Sequence, residues 1–147
     1  MMKQASWQGI KWLSSSAWAY PALEVMHIAG IALMLGSLVL VELHVWGYGS
    51  ELPARPLARA GLTLTVGGFA LIACSGLLMF AAHPAEMLGN RAFVLKMGLV
   101  SLSAFNAAIF HSRDSLAKAD TLARAQTVLS LGLWLLVIIC GRWIAYL

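Results

Sequence analysis

Four histidines, His27, His44, His83 and His111, stand in a chain that is 61% hydrophobic and only 11% charged. Imidazole is a metal ligand and a proton carrier near neutral pH. Inside a bilayer an ionisable side chain is costly, so each one is a functional-site candidate. The four fall at two depths of the hydrophobic spans described below, His27 and His83 toward one end, His44 and His111 toward the other. Two pairs at opposite sides of a small helical bundle imply two metal-centred sites, with b-type haem as the first candidate. His44 and His111 would hold one haem. His27, with His83 or with Met79, Met87 or Met97, would hold the other. Neutral imidazoles from separate helices suit low-spin, six-coordinate iron, which transfers electrons and does not bind substrate. The chain would then carry electrons across the bilayer, as a redox subunit linked to a quinone or a redox protein partner.

Two other readings compete. Seven methionines, two cysteines and four histidines are compatible copper ligands. The methionines form no MxxM cluster, however, and methionine in a membrane helix usually packs. Alternatively the chain is a non-catalytic membrane anchor or assembly subunit, with its polar residues serving as interhelical glue.

Taking His27 as zero and 100° per residue, Glu24 and Glu42 both lie near +60° and His44 near −100°. These ionisable groups share one half of the helix, which is expected to face the bundle interior. His27 and His44 are separated by roughly 25 Å along the axis and cannot share a metal. His83 lies roughly 9 Å from the depth of His27, which is why a methionine is kept as its alternative. Glu24-x-x-His27 has the spacing of di-iron bundles, but such sites need carboxylates on several helices. Glu24 and Glu42 read better as acceptors for imidazole N–H groups or as proton-handling groups. Lys96 and Arg142 could neutralise haem propionates or pair with Glu24, and Arg113 could do the same at the other end, since a guanidinium fork matches a carboxylate. Snorkelling to headgroups is the ordinary role of such cations. Asn106 reads as an interhelical hydrogen bond.

The elements that must position these residues are four apolar stretches, at about 21–46, 57–82, 91–111 and 122–146, each with the ~20 residues a spanning helix needs. Gly47-Tyr48-Gly49-Ser50-Glu51-Leu52-Pro53 ends the first. His83-Pro84 ends the second, because the residue before proline is pushed out of the helical region. Ser112-Arg113-Asp114-Ser115 ends the third, and Asp120-Thr121 caps the fourth. Short loops make neighbouring spans antiparallel. The class is an all-α integral membrane four-helix bundle, a single domain over 1–147. Residues 1–20 lack the continuous apolar run of a signal peptide. Trp7, Ile10, Lys11 and Ser14 follow helical spacing, so this segment is expected to be an interfacial helix with Trp7, Trp12 and Trp18 at headgroup level.

On the first span Ala29, Ala32, Gly36 and Leu43 lie opposite the polar half. Ala32 and Gly36 are expected to pack against a neighbouring helix, with a dimer contact as the alternative. Gly30, Gly67, Gly68, Gly76, Gly98 and Gly132 could admit a flat macrocycle or simply allow tight packing. Cys74 and Cys140 read as small buried hydrophobes. The net charge of +4 is concentrated at span ends, which suits anionic headgroups and not nucleic acid. Lys3, Lys11 and Arg91 mark one side, and Arg55, Arg59, Arg113, Lys118 and Arg124 the other. The second set is expected to be cytoplasmic, leaving the termini periplasmic.

The runs Tyr20-Pro21-Ala22-Leu23-Glu24-Val25-Met26-His27-Ile28-Ala29-Gly30, Phe93-Val94-Leu95-Lys96 and Gly141-Arg142-Trp143-Ile144-Ala145-Tyr146 resemble a family of small four-span bacterial membrane proteins of no established activity. The resemblance covers nearly the whole chain and implies four helices in the bacterial inner membrane. More loosely, the chain is similar to half of a copper-resistance D-type membrane protein and to the four-helix di-haem cores of cytochrome b561-like proteins. Neither looser likeness supplies a complete ligand motif, so the haem and copper readings rest on the histidines.

Overall fold

A computed structural model describes residues 11–147. Among them are six helices after a helical turn at 11–15: α1 Ala19–Val45, α2 Ala54–Ala82, α3 Pro84–Gly89, α4 Arg91–Ser112, α5 Ser115–Lys118 and α6 Thr121–Trp143. No strand occurs among the described residues. Helices α1, α2, α4 and α6 are each long and apolar enough to cross a membrane. The chain is therefore an all-α, multi-pass membrane bundle.

The breaks follow local chemistry. Gly47 and Gly49 take φ of +90° and +68°, left-handed positions that glycine adopts without strain. Helix α2 stops at Ala82, and His83 leaves the helical region ahead of Pro84. The Asp120 carboxylate accepts the Ala123 amide at 2.8 Å and opens α6. Asn90 does the same for α4, accepting from Ala92 and Phe93, while its amide donates to the Ile144 carbonyl at 3.0 Å. Helices α3 and α5 occupy two stretches that the hydrophobic pattern marks only as loops.

Two antiparallel hairpins make up the bundle. Helices α1 and α2 pack closely, as do α4 and α6, and the hairpins meet more loosely, chiefly through α1 and α6. Bridges between them include stacked Phe80 and Phe93, the Phe69–Trp134 edge contact and the Trp46 Nε1–H bond to Thr127 Oγ1. Large side chains such as Leu40, Leu77, Phe105 and Leu135 face outward, while Ser37, Glu42, Ser75, Ser103, Asn106, Gln126 and Thr127 are buried. This inside-out distribution suits a lipid surround, where apolar groups need no shelter and polar groups do.

Of the expected interfacial helix, Trp7 and Ile10 lie outside the described residues. Residues 11–15 are helical, and Trp12 and Trp18 are exposed. The Ala29–Ala32–Gly36 stripe does not pack inside the chain. Those residues are exposed, and a Cβ on Gly36 would meet nothing within 4 Å. Cys74 is also exposed, whereas Cys140 is buried.

Candidate functional site

The close helix pair is α1–α2, and its contacts form a regular ladder. Tyr20 meets His83 edge-on, and His27 meets Ser75 and Gly76. Gly30 meets Gly68 and Ile72, Met34 meets Gly68, Ser37 meets Thr65 and Val41 meets Gly61. The steps on α1 alternate three and four residues, which keeps one stripe facing one partner. Small residues let the backbones touch. A Cβ on Gly68 would lie 2.7 Å from the Met34 nitrogen, and one on Gly30 would lie 3.0 Å from the Gly68 carbonyl oxygen. No macrocycle fits between α1 and α2 at these levels.

His27 is half-buried on this ladder, and its ring is fixed by one hydrogen bond, Nδ1 to Ser75 Oγ at 2.9 Å. The direction of that bond follows from proton counting. The single Ser75 hydroxyl proton goes back to its own helix, to the Leu71 carbonyl at 2.7 Å or the Ile72 carbonyl at 3.1 Å. With that proton on its own helix, Ser75 accepts and His27 Nδ1–H donates; the other tautomer reverses the bond. In the Nδ1–H tautomer Nε2 keeps its lone pair, and no hydrogen bond of Nε2 occurs among the described residues. Gly76 gives the ring its room, since a Cβ there would lie 3.3 Å from His27 Cε1.

Lys96 of α4 stands close enough to His27 for the two charges to interact. The Lys96 stem lies along α6, with Nζ 3.4 Å from where a Cβ on Gly141 would be. The absence of a side chain at Gly141 thus lets a long cation lie partly inside the bundle. No hydrogen-bond or carboxylate partner of Lys96 occurs among the described residues.

The other sequence candidates scatter. His83 sits on the same ladder as His27, about 12 Å beyond Ser75 along α2. It stacks edge-on against Tyr20, 5.9 Å between ring centroids, with Nδ1 3.7 Å from the Glu86 carboxylate. It does not share a level with His27. His44 continues the α2-facing stripe of α1, and its Nδ1 is buried without a hydrogen-bond partner. His111 is exposed and touches its neighbour Phe110. His44 and His111 are not brought together. Glu24, expected to face inward, is exposed.

Arg142 is exposed too, and its guanidinium bonds the Tyr146 hydroxyl at 2.9 Å instead of reaching Glu24. Arg113 is occupied by Ser115, Gln126 and Asp120, fastening α4 to α6. Asn106 forms the interhelical bond expected of it, to the Gln126 carbonyl at 3.1 Å. Among the described residues no group of three or more His, Cys, Asp or Glu side chains could hold a metal ion. Met97 is exposed, and Met79 is half-buried one turn beyond Ser75.

Sequence reasoning missed Ser75, the hydrogen-bond partner of the His27 ring. The signal was present: a serine beside glycine in an apolar span at the level antiparallel pairing gives His27. It also missed Gly141 as the seat of Lys96. Comparison with known proteins finds no family model, no curated protein and no solved structure that matches this chain.

Proposed function

We propose that the protein is a b-type cytochrome of the bacterial inner membrane carrying one haem, bound through His27 Nε2 at the end of the bundle where α1 begins and α6 ends. The observation that carries this reading is the orientation of His27. Metal-binding histidines donate their other ring N–H to a fixed acceptor, which sets the tautomer and aims the lone pair. In its Nδ1–H tautomer His27 has that arrangement, with Ser75 as acceptor. A haem bound there would supply one-electron transfer, as a link to a quinone or a redox protein. Lys96 would balance an anionic propionate in a region of low dielectric.

The residues do not fit a second haem. His44 and His111 are not brought together, and His111 faces outward. The stoichiometry proposed is therefore one per chain.

The test is an absorption spectrum of purified protein from haem-replete cells, oxidised and then reduced with dithionite. A Soret band that is lost in His27→Ala and kept in His44→Ala and His111→Ala supports the reading. A colourless protein, or a band that survives His27→Ala, overturns it. Stoichiometric copper without haem absorbance would move the assignment to copper handling.

A further inference from the structure

Glu42 is used by nothing described above. It lies on α1 at the end opposite His27, and it is the one acid among six in the chain that is buried, at 5% exposure. Its Oε2 has no hydrogen-bond partner. The Ser130 hydroxyl of α6 stands beside the carboxyl.

No cationic nitrogen lies within 4 Å of Glu42 among the described residues. The charged groups of the surrounding elements are engaged elsewhere. On α6, Arg124 rests over the Trp46 ring, 5.7 Å from its centroid. On α4, Arg113 is held by Ser115, Gln126 and Asp120. On α2, Arg55 and Arg59 are exposed. On α1 itself, His44 is 200° around the helix and faces α2.

An unpaired carboxylate in this setting would carry the full cost of a buried charge. A metal cation would need several oxygen ligands. Thr127 Oγ1 is already committed, donating to the Arg124 carbonyl and accepting from Trp46. A proton needs only the free carboxyl oxygen.

We propose that Glu42 is a proton-binding site inside the membrane bundle, carried as the neutral acid and closed toward the nearer membrane surface by Trp46. Trp46 is one turn further along the same face of α1. Its Nε1–H bond to Thr127, 2.9 Å, and the Arg124 guanidinium over its ring latch α1 to α6 at the mouth of the site. The proposal is independent of haem.

The experiment is infrared spectroscopy of the lipid-reconstituted protein at neutral pH. The five other acids are exposed, and Glu24, the one of them on a membrane span, is told apart by the Glu42→Gln variant. The expected result is such a band in the parent protein that is absent in Glu42→Gln and present, at a shifted position, in Glu42→Asp. Transfer to deuterated water should shift the band slowly in the parent and several-fold faster in Trp46→Ala. Absence of a protonated-carboxyl band, or its survival in Glu42→Gln, overturns the site. Equal exchange rates in parent and Trp46→Ala overturn the closure. Should Glu42→Gln fail to fold, the shifted band of Glu42→Asp makes the same assignment.

Discussion

The two hairpins solve the same problem in different ways. Helices α1 and α2 approach until backbone touches backbone, over Gly30, Gly61 and Gly68. Helices α4 and α6 are joined by side chains: Asn106 to the Gln126 carbonyl, Arg113 and Ser115 to the Gln126 amide, and Lys96 laid against Gly141. The first hairpin carries His27 and His83 on its contact ladder. The second carries Lys96, Arg113, Arg124 and Arg142, while the first has Arg55 and Arg59 only at the start of α2. In a bilayer there is no hydrophobic drive to bring helices together, so association relies on close van der Waals fit or on polar bonds. A seam of the first kind holds a histidine ring rigidly. A seam of the second kind tolerates a charged chain lying across it.

The sharpest way to break the contrast is at Gly68. A methyl group there meets the Met34 backbone, which cannot rotate away as a side chain would. Gly68→Ala should destabilise the protein by ~1–3 kcal/mol, read as a shift of the denaturation midpoint in detergent. On the second hairpin the corresponding change is milder. Asn106→Ala removes one interhelical bond, and such bonds in membrane proteins average about 0.6 kcal/mol. If Asn106→Ala proves costlier than Gly68→Ala, the division between backbone-packed and side-chain-packed seams is wrong.

A smaller effect is expected at Asp120, outside the spans. The Ala123 amide, opposed by some loss of water and aided by the Arg113 guanidinium and Lys118, holds its carboxyl below the usual carboxylate range. A lowered folded value means that Asp120 stabilises the fold above the ordinary carboxylate range. That stability is lost as pH falls through the lowered value. The thermal midpoint of Asp120→Ala should therefore lie below the parent near neutral pH and converge with it in acid. A gap that widens in acid would reverse the sign. The smallest change is expected at Gly98 and Gly132, where an added Cβ meets nothing within 4 Å. Alanine at either should be neutral or gain less than ~1 kcal/mol through helix propensity.

The spans were legible in the sequence because apolar length is a strong signal and the breaks carry Gly, Pro and Asp. His83-Pro84 and Asp120 end and start helices where the sequence places those events. Rotation about the helix axis was less legible. His27 and Glu42 lie inward as their angles suggest, but Glu24, at the same angle as Glu42, does not: Ser130 of α6 stands beside Glu42, whereas the Glu24 level is left uncovered on that side. The small-residue pattern divides: Gly30 and Gly68 pack tightly as expected, whereas the Ala32–Gly36 pair meets no helix of this chain. Ala32 and Gly36 satisfy the small-xxx-small spacing, yet the close approach uses Gly30, with Gly61 and Gly68 supplied by the partner helix. Spacing within one helix cannot reveal which face a neighbour chooses. The tautomer of His27 was beyond reach for a related reason, since it depends on a serine 48 residues away.

The claim on which the account depends most is that His27 is protonated at Nδ1 and open at Nε2. Nitrogen-15 NMR of histidine-labelled protein, with the signal assigned by its loss in His27→Gln, reads this directly. The account predicts a ring with Nδ1 protonated and Nε2 either unprotonated or metal-bound, and a partial shift to the other tautomer in Ser75→Ala. A His27 ring with its proton on Nε2 in the parent protein would contradict it.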